Sequence, residues 1–193
     1  MRTLIYTAFV SLDGVVDSPG GGSRFESHRS AGWTHKDIEF VPEAYEIKGR
    51  ESEEATALMF GRISYEAFSP LWPTMEDFAS LKDLPKYVVS TTLSQDALVD
   101  NWGEITILRS LDDVAKVKAT DGGPIIIHGS ATLARNLSDA GLIDRYHLLV
   151  FPLLLGAGKR MFSDTDKDKQ MLKLVESETY ANGIVKLVYD VIH

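Results

Sequence analysis

The 193-residue chain contains no cysteine. That absence excludes disulfides, thiol nucleophiles and thiolate metal sites together. No apolar run approaches the ~20 residues that span a bilayer as a helix. The opening MRTLIYTAFV enters a strand pattern directly, without a signal peptide's cleavage region, so the expected compartment is the cytoplasm. Positive charge is scarce, with 20 Lys and Arg against 28 Asp and Glu and a net charge of -8. This argues against general nucleic-acid or anionic-membrane binding, and leaves room for a local basic pocket. His128 and His147 lack metal-ligand spacing, and no metal is expected. There is no G-x-S-x-G elbow of a serine hydrolase. Gly122-Gly123 precedes its strand, whereas a dinucleotide G-x-G-x-x-G follows one. Gly156-Ala157-Gly158-Lys159-Arg160 is not a P-loop, because Leu153 and Arg160 stand where Gly and Ser or Thr are required. No repeat or low-complexity block divides the chain, and one domain over 1–193 is expected.

What is present is an alternation of short apolar β-branched runs and helical patterns. Leu4 to Val10 reads as a buried strand ending in the turn Ser11-Leu12-Asp13-Gly14. Asp17 to Trp33 has no periodicity and is rich in Gly, Ser and charge, as binding loops and lids often are. Ile38 to Ala57 has helical spacing, with Pro42 tolerable only in a first turn. Ala57 to Phe60 reads as a strand followed by Gly61 and a helix through Phe68, and Tyr87 to Val89 and Ile105 to Leu108 as further strands. Ser110 caps a helix over Leu111 to Ala119 with Asp113 three residues on. Ile125 to Ile127 leads into Gly129-Ser130, then a helix from Ala131 that stops at Gly141. Ser130 there is either an ordinary N-cap or part of an anion-binding turn. Met171 to Tyr180 and Ile184 to Ile192 form a hairpin about Asn182-Gly183. The fold class is α/β, a mostly parallel central sheet flanked by helices with an antiparallel C-terminal hairpin.

Several strands end in small polar or cationic residues: Gly61-Arg62-Ile63-Ser64, Ser90-Thr91-Thr92, Arg109-Ser110 and His128-Gly129-Ser130. In a parallel sheet these turns share the carboxyl edge, where ligands of open α/β sheets bind. Hydroxyls, helix N-termini and two arginines suit a long polyanion with two or three phosphates. On the reducing side, Asp13, Asp37, Glu39 and Glu43 are candidate carboxylates, and Trp33 and Trp72 candidate walls for a flat ring. His28 and His35, in or beside the long loop, are candidate proton donors.

The segments Phe60-Gly61-Arg62-Ile63-Ser64-Tyr65-Glu66, Val89-Ser90 and His128-Gly129-Ser130-Ala131-Thr132, with the C-terminal hairpin, resemble the dihydrofolate reductase fold. Ser11-Leu12-Asp13-Gly14 and Val150-Phe151-Pro152-Leu153-Leu154-Leu155-Gly156-Ala157-Gly158-Lys159-Arg160 more closely resemble single-domain bacterial relatives of the reductase domain of riboflavin-biosynthesis deaminase/reductases. The resemblance implies a reductase using NADPH on a small pteridine- or aminopyrimidine-like substrate. It implies that Gly61, Arg62 and Ser64 meet cofactor phosphates, and that Ser90, Thr91 and Thr92 meet the adenosine 2′-phosphate region. Arg109 would face the adenosine, and Gly129, Ser130, Ala131 and Thr132 the pyrophosphate. Asp13 is implied as the catalytic or substrate-orienting carboxylate, with Gly14, Trp72 and Phe151 on the substrate side. A homodimer with Leu148 to Leu155 near its contact is also implied. Thr91 departs from the pattern, because the family usually has Arg or Lys after that serine, so NADPH preference over NADH should be narrower. The alternative is a non-catalytic NADP(H)-binding or sensing protein of the same fold.

Overall fold

The computed structural model describes residues 1–21, 25–165 and 168–193. Among them, eight strands form one sheet: β1 Leu4–Ser11, β2 Ala57–Gly61, β3 Lys86–Val89, β4 Ile105–Leu108, β5 Ile125–His128, β6 Arg145–Phe151, β7 Leu172–Thr179 and β8 Val185–Val191. Their spatial order is β4-β3-β2-β5-β1-β6-β8-β7. The pairings from β4 through β6 are all parallel, and β8 runs antiparallel to both β6 and β7. The expected architecture is therefore observed. The central strands are buried on both faces, which is why LIYTAFVS and IIIH read as continuous apolar runs. The edge strand β7 is mostly exposed, and its Glu176 and Glu178 carboxylates accept from Lys186 of β8. Charge on such an edge discourages pairing with another chain.

Among the described residues, four α-helices flank the sheet: α1 Glu46–Glu54, α2 Arg62–Phe68, α3 Leu111–Ala119 and α4 Ala131–Asp139. One face buries Leu4, Tyr6, Met59, Ile127 and Leu148 with Val114 of α3 and Leu133 and Leu137 of α4. On the other, Leu58, Phe60, Val88 and Ile126 pack with Tyr65 of α2, and Leu149 and Phe151 with Ile47 of α1. Ser110 Oγ accepts the Asp113 N–H as expected, while Asp113 Oδ2 accepts from Arg109 N, one residue before the cap. Gly141, at φ +67°, ends α4.

One expectation is corrected. The helical pattern from Ile38 yields only a 3-10 turn at Pro42–Tyr45 and then α1, since Pro42 lacks the N–H that would join an earlier turn to it. Leu148 to Leu155 comprises the end of β6 and the residues that follow it. β6 lies between β1 and β8 with Leu148, Leu149 and Phe151 buried, and within the stretch Leu154 is the leucine that stands open.

Candidate active site

The sheet's carboxyl edge is notched. β5 stops at His128, which pairs with Thr7, whereas β1 and β6 continue together to Ser11 and Phe151. Beyond Thr7, no strand pairs with β1 on its β5 side among the described residues. The chain leaves β5 through two consecutive left-handed residues, Gly129 at φ +56° and Ser130 at φ +57°. A Cβ on Gly129 would also stand 3.2 Å from Ser64 Oγ. The strained Ser130 backbone is held by three hydrogen bonds. Its N–H donates to Ser64 Oγ at 2.8 Å, and its Oγ accepts from Gly61 N at 2.9 Å and donates to His128 O at 3.0 Å. Ser130 stands at the N-cap position of α4, its carbonyl accepting from Ala134 N, but its side chain makes no capping bond to the first turn. Gly61, Ser64, Gly129 and Ser130 instead staple the β2 and β5 turns together. The first N–H groups of α4 remain without intrahelical partners.

A cavity of about 310 Å³ opens against that first turn. Ala131, Thr132 and Arg135 of α4 line one side, and Lys159 and Arg160 of the loop after β6 the other, with Phe162 and Asp164. Arg160 is fixed, donating to the carbonyls of Asp13 and Gly156. Lys159 Nζ lies 3.9 Å from Asp17 Oδ1. Three cations converge here on a chain of net charge -8. The donors suit phosphate oxygens. Sequence reading passed over Lys159 and Arg160 because Gly156-Ala157-Gly158-Lys159-Arg160 fails the P-loop pattern; its charge, not its motif, is the signal that they line this cavity.

The other expected cofactor residues form a connected cluster at the ends of β2, β3 and β4. Arg62 donates to Glu66 Oε1 at 2.6 Å and to Thr92 Oγ1 at 2.8 Å. Ser90 Oγ accepts from Thr92 N and Leu93 N, so it builds the turn. Arg109 Nη1 donates to the carbonyls of Ser90 and Leu93. Thr91 is exposed beside them. The Arg62 guanidinium therefore stands at the Ser90–Thr92 turn, beside the neutral Thr91.

Asp13 is an anchor. Its Oδ1 accepts from Ser11 Oγ at 2.6 Å and Leu155 N at 3.1 Å, and its Oδ2 from Gly156 N at 2.7 Å. The Ser11 hydroxyl and these backbone N–H groups hold its carboxyl down to about 2. Such a group stays ionised at neutral pH and works as a hydrogen-bond acceptor. Gly14, at φ +83°, closes the same turn by donating to Ser11 O.

The aromatic candidates are corrected. Trp72 is sandwiched between Phe68 at 4.4 Å and Phe78 at 4.1 Å, both nearly parallel, so neither ring face is open to substrate. Phe151 is fully buried between Phe9 and Trp33, and Trp33 is itself buried with its N–H on Asp17 O. The loop from Asp17 is tied down at several points, for Gly32 N donates to Ser18 O and His28 Nε2 meets Ala157 O at 3.0 Å. Residues 22–24 of the expected lid lie outside the described residues. His35, Asp37, Glu39 and Glu43 are exposed.

Sequence reading missed a buried polar cluster on the α1 face of the notch. Thr7, His128 and His147 lie side by side on β1, β5 and β6. Glu51 of α1 reaches down to them. Its Oε1 accepts from Thr7 Oγ1 at 2.7 Å and His147 Nδ1 at 2.9 Å, and its Oε2 lies 3.3 Å from Lys48 Nζ. Lys48 Nζ also donates to Thr7 Oγ1 and sits 5.0 Å from the centre of the Phe9 ring. Burial pushes the Glu51 carboxyl up, but the Lys48 charge and the His147 hydrogen bond outweigh it and hold it at about 2. Burial pushes His128 down to about 4, aided by Lys48 against the pull of Glu51. Ala44, Ile47 and Glu51 share one helical stripe, and Thr7 and His147 interrupt apolar strands at inward positions, but only the strand register brings these groups together.

Residues 2–186 match the family of the RibD C-terminal domain. An uncharacterized Bacillus subtilis protein, YyaP, is 32% identical over 139 residues, covering 68% of this chain and 72% of its own length. Among solved structures, a putative riboflavin biosynthesis protein of Shewanella sp. PV-4 superposes with a TM-score of 0.76 at 19% identity over 99% of both chains. Enterococcus faecalis dihydrofolate reductase complexed with NADP(H) superposes at 0.58 and 13% identity, over 99% of this chain and 97% of its own. Acinetobacter baumannii RibD superposes at 0.62 and 16% identity, with this chain covered in full and 59% of RibD. The last three share the fold, a dihydrofolate reductase-like α/β sheet, and the match over 2–186 decides the family: the chain belongs to that of the RibD C-terminal domain.

Proposed function

We propose that the chain is an NADPH-dependent reductase of a small, flat, pteridine- or aminopyrimidine-like substrate. The observation that carries this is the cationic cavity at the α4 N-terminus, where the chain turns out of β5 at the notched sheet edge. Arg135, Lys159, Arg160 and the first turn of α4 would hold the pyrophosphate. Arg62, beside Ser90, Thr91 and Thr92, would take the 2′-phosphate. A nicotinamide supplies hydride, so the protein's work is to bind, orient and exclude water. Asp13 contributes by holding the loop that carries Lys159 and Arg160. The test is NADPH titration, followed by NADPH oxidation with dihydrofolate and with an aminopyrimidine ribosyl substrate. Absence of NADPH binding overturns the proposal. Binding without oxidation of either substrate favours the non-catalytic, sensing reading.

A further inference from the structure

The Asn182-Gly183 pair at the turn of the C-terminal hairpin is fixed by the fold at both residues. Tyr180 N donates to Ile184 O and Gly183 N to Tyr180 O, each at 2.9 Å. Ala181-Asn182-Gly183 is thus a three-residue loop closed by a left-handed glycine at φ +84°. A Cβ on Gly183 would also stand 3.1 Å from Pro152 Cγ, so a larger residue there is strained. Asn182 acts as a hook. Its Nδ2 donates to Glu39 O at 2.8 Å and its Oδ1 accepts from Ile184 N at 3.2 Å. The hook fastens the hairpin to the segment that leads into α1, and Ile38, Tyr45, Tyr180 and Ile184 share one apolar cluster there. The same pair is chemically exposed. With no Cβ on Gly183, its main-chain nitrogen is the least hindered nucleophile for the neighbouring side-chain amide. Gly183 is exposed and Asn182 half-buried, so base and water reach the turn.

We propose that Asn182 is a site of self-modification: it deamidates when its bond to Glu39 opens, and the change is one-way because the product cannot remake that bond. Gly183 N gives its proton to hydroxide and attacks Asn182 Cγ. As the N–Cγ bond forms, the Cγ–Nδ2 bond breaks, and Nδ2 leaves as ammonia with the electron pair and a proton from water. A cyclic succinimide remains. Water then opens the ring. Attack at Cγ restores the main chain with aspartate at 182, and attack at the main-chain carbonyl leaves isoaspartate. One water is consumed and one ammonia released, with no oxidant or reductant. In the folded turn both reacting groups are engaged elsewhere, the Gly183 N–H by Tyr180 O and the Asn182 amide by Glu39 O and Ile184 N. Either product carries a carboxylate in place of the amide, which has no donor for Glu39 O and is repelled by it.

The test is incubation of the protein in mildly alkaline buffer, folded and in urea, with mass mapping of the tryptic peptide Leu174 to Lys186 and enzymatic labelling of isoaspartate. Both samples are expected to gain the mass of an amide-to-acid exchange at Asn182, the folded one about ten-fold or more slowly, the scale set by a local opening. Absence of that gain in either sample overturns the site, and equal rates overturn the gating. Asn182→Asp supplies one product directly, and Asn182→Ser removes the donor to Glu39 without adding charge. Hydrogen exchange over Ile38 to Tyr45 and Tyr180 to Ile184 should be several-fold faster in both variants than in the parent. Exchange unchanged in Asn182→Asp overturns the one-way release.

Discussion

Arg62 illustrates how much one side chain carries at this edge. Its guanidinium spans from Glu66 to Thr92 and so brings a positive charge to a turn whose own residue 91 is neutral. Arg62→Ala should weaken NADPH binding by about ten- to a hundred-fold while weakening NADH much less. Parallel titrations of the two cofactors check this, and an equal loss for both would assign the 2′-phosphate to another group. Thr91→Arg would then place a second cation beside the first and widen the preference for NADPH. Asp13 is the contrasting case, a charge used for structure. Asp13→Asn keeps the shape but replaces the anion that Leu155 N, Gly156 N and Ser11 Oγ surround. The expected outcome is a lower melting temperature and several-fold weaker NADPH binding, because Lys159 and Arg160 lie on the released loop, with single-turnover hydride transfer in the loaded protein little changed. A large loss in that rate with the melting temperature intact would return Asp13 to the chemistry.

At the scale of elements, α1 and the strands beneath it form an acid-sensitive joint. Glu51 sits at about 2 against an ordinary 4.5, so its contribution is complete above 4.5 and lost as the pH falls toward 2. His128 is held at about 4 against 6.5, so the folded state resists its protonation and stability already declines below 6.5 toward 4. Urea midpoints should therefore fall in two stages on acidification. Glu51→Gln should flatten the lower stage and His128→Asn the upper, and a wild-type midpoint constant from pH 6.5 to 4 would remove His128 from the account. Neither stage was foreseen, and the reason is physical. Strand and helix periods are local, so β1, β2, α3 and the Asn182-Gly183 hairpin are legible from spacing and turn residues alone. Which carboxylate of a helix finds a histidine two strands away depends on register, and no local pattern carries that. Trp72 failed for the same reason: a tryptophan between prolines looks like a ring wall until the positions of Phe68 and Phe78 are known.

For the whole molecule, the turns at the sheet edge were legible because parallel strands force their ends together. The cavity was half legible. Ala131 and Thr132 follow from the strand-turn-helix pattern, but Lys159 and Arg160 arrive from a loop more than twenty residues later. The strand order has a kinetic consequence as well. β5 pairs with β1 on one side and β2 on the other, and it joins the group β4-β3-β2 to the group β1-β6-β8-β7. Yet β1 and the group β2, β3 and β4 leave the ribosome before β5, so β1 and β2 must wait with open apolar edges for a four-residue insert. Closure over such separations is entropically slow and leaves those edges exposed to mispairing meanwhile. Ile126, fully buried at the centre of that insert, is the place to measure it. Ile126→Val should cost about 1 kcal/mol, and if insertion of β5 limits the rate, stopped-flow refolding will show most of that loss as slower folding and little as faster unfolding. The opposite partition would mean that the halves join late, after the rate has been set elsewhere.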